Sequence, residues 1–501
     1  MWLRLSHLPL FVQLFGITSA LMLVPSAHAL ALENYAEARS FFYSGLLGLF
    51  LIFMIALATS NRKIEETSVQ QLASLALSFF LIPAFCAIPE YDAIRTTYFI
   101  NTYLDMVSAF TTTGFLVFEP EKLSNTVHLW RALVAWFGGG LIWLVAIAIL
   151  APMNLGGFEV TSGRSIHQTH YLTAKERQLF LYRNFYALLP LYLGLTGLLW
   201  LALSICGIPG FESLIFAMSV LSTSGITAVA TLSDFEGIWF AEVVILVFLT
   251  FAITRGISAR ERSNTGLSNF STVTELKIAA AIIIFTTLFL LFLQIFYLLE
   301  AGIPIIDLFT IKMIWGNLFT IMSFLTTNGW TSNFWFTTNE MSGFAVPGAL
   351  FLGLVLIGGG VATTAGGVKL LRVYALYRNA IQEMDRLIHP SAIGQSRSIY
   401  QNELRGKAFI AWIFFMLFII SLAVITLLLS AFGLTFETAL IASVSALSTT
   451  GPLPNLVMGS HIDFSIFNNG SKMILAAAMV LGKLEILVLL ALFTSEIWRG
   501  Q

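Results

Sequence analysis

Charged residues are scarce in this chain of 501 residues: Asp, Glu, Lys and Arg make up only 11% of it, whereas 57% is hydrophobic. With a mean hydropathy of +0.85, so little charge excludes a soluble domain and predicts a protein that crosses a membrane several times. The net charge of -1 says nothing about partners, because opposite signs are spread over two compartments.

Cysteine and the motifs of soluble chemistry are almost absent too. Cys86 and Cys206 lie in separate apolar runs, which disfavours a structural disulfide. The chain has neither a Walker phosphate loop nor a dinucleotide fingerprint beside a strand. His167 and His170 lack Cys or carboxylate companions, so they favour a solvated turn over a metal site. We therefore expect that the chain binds no organic cofactor. The energy for its activity is expected to come from the ion gradient, the membrane potential or a partner.

What the chain does have is one short motif that occurs four times: small hydroxyl or amide residues closed by a glycine. The glycines recur at a spacing of about 110 residues, which indicates an internal repeat. Each copy follows an apolar segment too short to span a membrane. The copies, named motif 1 to motif 4 below, occupy residues 111–114, 222–225, 326–329 and 448–451.

The chemistry of these motifs suits an ion pore. A non-helical segment inside a membrane must be buried in protein or turned toward water. Glycine permits backbone conformations that aim successive carbonyl groups the same way. Four such segments around one axis form rings of carbonyl oxygens that replace the hydration shell of a potassium-sized ion. A single copy would be an ordinary turn, but four copies between spanning segments predict a pore.

The predicted fold is an all-α polytopic membrane protein. It has four pseudo-repeats of helix, pore helix, filter loop and helix around a central pore, plus two N-terminal helices. Residues 8–30 favour an uncleaved first helix, although Ala27 and Ala29 also fit a signal-peptide cleavage site. The predicted units are a helix pair at 1–65, then pore repeats at 66–165, 166–270, 271–395 and 396–501, the third with an intramembrane gating loop.

Lysine and arginine set the orientation. They concentrate in the linkers between repeats, at residues 164–183, 255–277 and 369–407, and are absent from the loops that follow motifs 2 and 3. Because basic loops stay on the cytoplasmic side, all four motifs are predicted to lie near the outer face.

Two features of the inner half are unusual. Residues 358–369 place five glycines and two threonines where a helix should continue, which lowers helix propensity. Close helix packing is one explanation, and a flexible loop that obstructs the pore is the one we favour. Lys483 lies about eleven residues into the last apolar span, near mid-membrane. Such a charge is expected to face an interior cavity, whereas a structural pair with Glu485 is disfavoured, because helical residues two apart do not face each other.

Together these residues carry a family resemblance. The four motifs, the stretch 358–372, Leu481–Ile486 and Trp130-Arg131-Ala132-Leu133 resemble the Trk/Ktr/HKT superfamily of potassium transporters, specifically its TrkH-type membrane subunits. The resemblance covers essentially the whole chain. It implies a transporter of potassium ions in the bacterial inner membrane, a homodimer, and a cytoplasmic TrkA-type ring of nucleotide-binding regulatory subunits that opens the pore.

The resemblance also assigns roles to residues. Lys483 stands where the family usually has arginine, so the charge is kept but the forked donor geometry is not. Asn328 and Ser224 vary the usual motif, whereas Gly114 occupies a position where serine marks the plant relatives that favour sodium. The implied filter ligands are Thr112, Thr113, Gly114, Thr223, Ser224, Gly225, Thr327, Asn328, Gly329, Thr449, Thr450 and Gly451. The implied gate is Gly358, Gly359, Gly360, Thr363, Thr364, Gly366, Gly367 and Lys483.

The resulting prediction is potassium uptake without enzymatic chemistry. A sodium-permeable or weakly selective pore of the same fold is the alternative. A polytopic membrane enzyme would need acidic or histidine clusters at one face, and the outer loops carry only scattered carboxylates such as Glu119, Asp234 and Asp463. A transporter built from inverted repeats would need repeats of opposite topology, whereas these four share one.

Overall fold

The computed structural model describes residues 8–59, 68–151, 153, 174–228, 238–254, 268–300, 307–335, 347–388, 398–459 and 462–486, and these residues form helices and connecting turns only. Seven of their helices are long and apolar enough to cross a membrane. The basic linkers at 154–173, 255–267 and 389–397, with His167 and His170, lie outside the described residues. Cys86 and Cys206 are free thiols.

The N-terminal part consists of α1 (Leu10–Leu21), α2 (Leu23–Ala31) and α3 (Tyr35–Ala58). The α1 and α2 helices pack on α3, and they also reach helices of the first predicted repeat, α4 and α6, respectively. Asn34 caps α3 by accepting a hydrogen bond from the Glu37 main-chain N–H. Residues 10–31 therefore form a packed helical segment, while the absence of cleavage at the N-terminus stays a prediction.

The rest of the chain runs through the same order of elements four times: a long helix, a shorter helix, a motif and a further helix. The elements are α4 (Ser68–Ile94), α5 (Phe99–Phe110) and α6 (Asn125–Val145); α7 (Ala174–Ile205), α8 (Gly210–Ser222) and α9 (Ile238–Leu249); α10 (Ser268–Glu300), α11 (Asp307–Leu325), α12 (Gly348–Ile357) and α13 (Leu370–Ile388); α14 (Ser398–Ala431), α15 (Phe436–Leu447), α16 (Leu453–Met458) and α17 (Asn469–Leu484).

The helices close into a ring. Each short helix before a motif packs against the long helix that precedes it. Neighbouring units then meet in chain order through four further contacts, α6 with α8, α9 with α11, α12 with α15 and α17 with α5. The last contact joins the end of the chain to its first unit, so the four motifs lie at the centre of one closed arrangement.

Small residues allow the close approach that this ring needs. A Cβ atom on Gly138 of α6 would lie 2.0 Å from the Phe110 carbonyl oxygen at the end of α5. Likewise, a Cβ atom on Gly482 of α17 would lie 2.2 Å from the carbonyl oxygen of Leu447, the last residue of α15. Glycine at these positions lets a spanning helix pass directly across the end of a short helix, as is common in membrane bundles.

The predicted break in the third unit is present. The α12 helix ends at Ile357 and α13 begins at Leu370, so residues 358–369 are not helical. The α6 helix also loosens at its inner end, where Ala146–Leu150 form a π-helical turn. The last helix was predicted to run from 472 to 494; it is described from Asn469 to Leu484, and residues 487–501 lie outside the described part.

Candidate functional site: four motifs around one axis

Each motif begins with a hydroxyl group that turns back on the short helix before it. This group donates to the carbonyl oxygen one helical turn earlier, at 2.5–2.8 Å in all four copies. The next residue is a threonine in the left-handed region, with φ between 51° and 60°. A positive φ is rare for a β-branched residue and marks a functional site when it persists. The four residues are Thr112, Thr223, Thr327 and Thr449.

A serine six residues before each motif glycine holds the motif in place, and our sequence reasoning missed this set. Its carbonyl oxygen accepts the main-chain N–H of the residue before the glycine at 2.8–3.0 Å in every copy. The hydroxyl groups of Ser108 and Ser323 also accept the N–H of Phe115 and Trp330, at 2.7 Å each. Alignment of the four sequence copies on their glycines would have revealed this set of serines, which consists of Ser108, Ser219, Ser323 and Ser445.

The four motifs touch one another in sequence and close a ring. A Cβ atom on each glycine would collide with the neighbouring motif or the residue just after it. For Gly114, Gly225 and Gly451 the collision is with main-chain atoms, and for Gly329 it is with the Pro452 ring. The closest approaches are from Gly114 to Ser224 (1.8 Å), Gly225 to Asn328 (2.3 Å), Gly329 to Pro452 (2.9 Å) and Gly451 to Gly114 (2.2 Å). The Gly451 N–H also donates to the Thr113 carbonyl oxygen at 2.5 Å, and Trp330 Nε1 donates to the Gly225 carbonyl oxygen at 2.9 Å.

The inner end of this ring carries unpaired carbonyl groups. The left-handed threonines are at most 1% exposed. Within the described residues, their carbonyl oxygens accept no hydrogen bond. A buried carbonyl group normally finds a donor, and four unpaired ones around an axis are ligands suited to a dehydrated cation. The Asn328 side-chain amide is likewise buried without a partner in the described part of the chain.

The glycine-rich loop, residues 358–367, has a fixed base. The N–H groups of Val368 and Lys369 donate to the carbonyl oxygens of Leu356 and Ile357 at 2.9 Å each, which pairs the two ends of the loop. Gly358 and Gly367 lie against each other there, with φ of 71° and 78°. Both the left-handed backbone and the contact require glycine.

The tip of the loop contacts the inner threonines of motifs 2, 3 and 4. The Thr223 hydroxyl group donates to the Thr364 hydroxyl group at 3.2 Å, and the Gly366 N–H donates to the Thr327 hydroxyl group at 2.9 Å. A Cβ atom on Gly366 would lie 2.4 Å from the Thr449 hydroxyl oxygen. In the orientation predicted from the basic linkers, the short helices enter from the outer face, these threonines form the innermost ring, and the loop lies on its cytoplasmic side.

Lys483 completes the cover at motif 1. This residue is 7% exposed, and its ammonium group donates to the Thr112 hydroxyl group and, at 2.6 Å, to the Thr364 carbonyl oxygen. It does not pair with Glu485, which instead binds Arg372 at 2.6 Å. Lys483 is therefore buried in the interior, as predicted, and its two hydrogen bonds link the loop to motif 1.

Glu242 on α9 supports motif 3 from the neighbouring unit, and our sequence reasoning missed it. Its carboxylate is fully buried and accepts hydrogen bonds from Trp315 Nε1 at 2.6 Å, the Ser332 hydroxyl group at 2.9 Å and the Asn333 N–H at 2.7 Å. The available signal was a lone carboxylate inside an apolar run.

A multi-pass membrane protein whose re-entrant motifs enclose one axis has the architecture of an ion-conducting protein. Comparison with known proteins agrees with this class. The family model described as a cation transport protein, TrkH, matches residues 49–499. The chain therefore belongs to the TrkH family of cation transport proteins.

Curated relatives and a solved structure extend over nearly the full length. The Trk system potassium uptake protein TrkI of Halomonas elongata is 26% identical over 483 residues, covering 94% of this chain and 92% of the relative. The potassium uptake protein TrkH of Escherichia coli K12 is 24% identical over 499 residues, covering 96% of each. The crystal structure of the potassium transporter TrkH from Vibrio parahaemolyticus shares the fold, with a TM-score of 0.77, 24% identity and full coverage of both chains.

Proposed function

We propose that this protein carries potassium ions into the bacterial cell across the inner membrane, through the ring formed by motifs 1 to 4. The observation that carries the proposal is the closed ring of buried main chain whose four inner threonine carbonyl groups lack a donor among the described residues. The names of the curated relatives, potassium uptake proteins over nearly their whole length, support the choice of ion.

The main chain supplies the filter ligands in this proposal. The side chains of Thr113 and Ser224 hydrogen-bond within their own units, to Thr111 and to Ser219 and Ser222. The carbonyl oxygens of Thr113 and Gly225 also accept hydrogen bonds, from the Gly451 N–H and from Trp330 Nε1. The carbonyl oxygens of the four left-handed threonines are then the groups left to face the axis, so Ser224 and Asn328 vary the motif without removing one of these ligands. Exchange of hydration water for fixed carbonyl oxygens selects the ion whose size suits the ring.

The glycine-rich loop and Lys483 form the closed gate. The loop covers the inner threonines, and the lysine adds a positive charge next to Thr112. A cation leaving the filter meets both a steric block and electrostatic repulsion. Opening then requires the loop to leave the threonine ring, and its glycine content makes such a movement conformationally accessible.

A cytoplasmic partner is the proposed source of that movement. The α13 helix begins three residues after the loop, and Arg372 in its first turn binds Glu485 at 2.6 Å and lies over the Phe414 ring at 3.8 Å from its centroid. A force that the partner exerts on α13 would be transmitted to the loop, because the contacts of Arg372 with Glu485 and Phe414 lie next to the base of the loop. We infer a TrkA-type nucleotide-binding ring acting on a homodimer, supported by the designation of the relatives as parts of a Trk system.

Growth rescue tests the proposal. The full chain is expressed in a bacterium that lacks its own potassium uptake systems, with and without a co-expressed regulatory subunit, at low external potassium. Rescue by the pair, with potassium tracer uptake that sodium competes with only weakly, is the expected outcome. Preferred sodium entry would establish the alternative, a sodium-permeable pore. The absence of any cation flux in vesicles that contain both the protein and the regulatory subunit would refute transport.

A further inference from the structure

Three ionisable residues are buried together behind motif 1. Glu90 on α4, Asp105 on α5 and Arg131 on α6 are each at most 1% exposed. Arg131 Nε and Nη2 donate to the two carboxylate oxygens of Asp105 at 2.7 and 2.9 Å. The same Nη2 donates to the carbonyl oxygen of Phe115 at 3.2 Å. Because Phe115 directly follows Gly114, Arg131 ties the pore helix to the outer end of motif 1.

Glu90 is the member of this cluster that has no hydrogen-bond donor. Neither of its oxygens accepts a hydrogen bond from the described residues, and Arg131 Nη1 likewise has no partner among them. Asp105 and Arg131 are the charged groups that act on the Glu90 carboxyl group. One arginine balances one carboxylate, so an ionised Glu90 would leave an uncompensated buried negative charge. Two carboxyl groups attract each other when a single proton lies between them and repel each other otherwise.

The surrounding elements bring no second cation among the described residues. The nearest titratable neighbours are Cys86, one turn earlier on α4, and His128 on α6. The His128 ring hydrogen-bonds to the Pro120 carbonyl oxygen at 2.9 Å. Trp130 Nε1 donates to the Cys86 carbonyl oxygen at 3.1 Å and so joins α4 to α6 beside the cluster. The Glu90 carboxyl group is therefore left with Asp105 and Arg131.

We propose that Glu90 is protonated and donates a hydrogen bond to the Asp105 carboxylate. Through Asp105 and Arg131 it positions the Phe115 carbonyl group, which makes Glu90 a positioning residue that affects the selectivity of the filter. The inference rests on the proposed potassium transport. In the third unit the link between long helix and pore helix is instead a neutral amide pair, Gln294 with Asn317, at 2.7 and 3.3 Å. The first motif is thus positioned through a protonated acid and the third by amides.

The test compares three substitutions at one residue with a matched control. Glu90→Gln retains the shape and an N–H donor toward Asp105, whereas Glu90→Ala and Glu90→Met remove the donor, the second with little loss of volume. Glu37→Gln is the control, because Glu37 is another buried glutamate, on α3 outside the ring, where it accepts from the Ser124 hydroxyl group at 3.0 Å. Each full-length protein is reconstituted in vesicles, and potassium uptake is measured against sodium competition.

We expect Glu90→Gln and Glu37→Gln to keep the wild-type potassium-to-sodium ratio within about twofold. Removal of the donor should lower the ratio by about fivefold or more, because a buried partner is left unsatisfied. Infrared difference spectra should show a protonated carboxylic acid in the wild type that is missing from Glu90→Gln. The inference is refuted by a missing acid band, by an unchanged ratio in both Glu90→Ala and Glu90→Met, or by loss of selectivity in Glu90→Gln.

Failure of the inference and failure of the proposed function give different results. Wild-type vesicles that take up no potassium even when the regulatory subunit is reconstituted with the protein contradict the proposed function itself. Selective wild-type uptake combined with any of the three refuting outcomes contradicts only the role of Glu90. Size-exclusion chromatography of each variant in detergent identifies variants that fail to fold, and Glu90→Met replaces Glu90→Ala where the cavity prevents folding.

Discussion

Replacement of Lys483 by methionine should open the closed pore. Methionine keeps most of the apolar length of the side chain but removes both hydrogen bonds that the ammonium group donates, to Thr112 and to Thr364. These two bonds connect motif 1 to the tip of the glycine-rich loop. Without them, the loop is held at motif 1 by packing alone, so the balance between closed and open states shifts toward the open state.

The size of the shift follows from the contacts. A hydrogen bond to a charged group contributes about 1.5–3 kcal/mol, and the ammonium group regains water when the loop leaves, so we take about 3 kcal/mol for the pair. The charge adds a barrier for a cation at the inner ring. At about 5 Å and an effective dielectric constant of about 20, this barrier is roughly 3 kcal/mol. Each effect alone corresponds to about a hundredfold change in flux, and both act in the same direction.

The assay is rubidium or potassium tracer flux into vesicles that contain the protein without a regulatory subunit. Basal flux through Lys483→Met should exceed that of the wild type by at least about a hundredfold, which is the size of either effect alone. Lys483→Arg keeps the charge and should stay near the wild type. Lys472→Met is the matched control, because this buried lysine on the same helix donates to the Ser465 carbonyl oxygen and not to the loop. Basal flux of Lys483→Met within about twofold of the wild type would refute the gate assigned to Lys483.

Three further predictions concern the filter, the loop and the outer support. Gly114→Ser should reduce the potassium-to-sodium uptake ratio, because a Cβ atom there would lie 1.8 Å from the Ser224 carbonyl oxygen at a φ of 75°; an unchanged ratio would place selection elsewhere. Gly366→Ala should raise basal tracer flux, since its Cβ atom would lie 2.1 Å from the Ser448 carbonyl oxygen and displace the loop; wild-type flux would contradict this. Glu242→Gln leaves fewer acceptor sites for three donors and should destabilise the protein by about 1–3 kcal/mol, seen as a lower unfolding temperature in detergent; an unchanged temperature would show that these bonds add little.

The sequence by itself determined the local parts of this protein. Apolar runs of spanning length, shorter runs before each motif and the glycines at 358–360 and 366–367 are properties of neighbouring residues, and helix formation responds to them directly. The short apolar segment predicted before motif 4 forms α15, and the predicted break in the third unit lies between α12 and α13. The membrane itself enforces this agreement, because backbone polar groups must be satisfied within each segment.

Only the tertiary structure decided which distant groups meet. Lys483 and Thr112 are 371 positions apart, and no spacing rule relates them. The same holds for Glu242 with Ser332 and for Glu90 with Arg131; neither carboxylate was identified from the sequence, and no spacing rule gives their partners. Partners across the ring are selected by the order in which whole helices pack and by the need to satisfy each buried charge, and both depend on the complete fold.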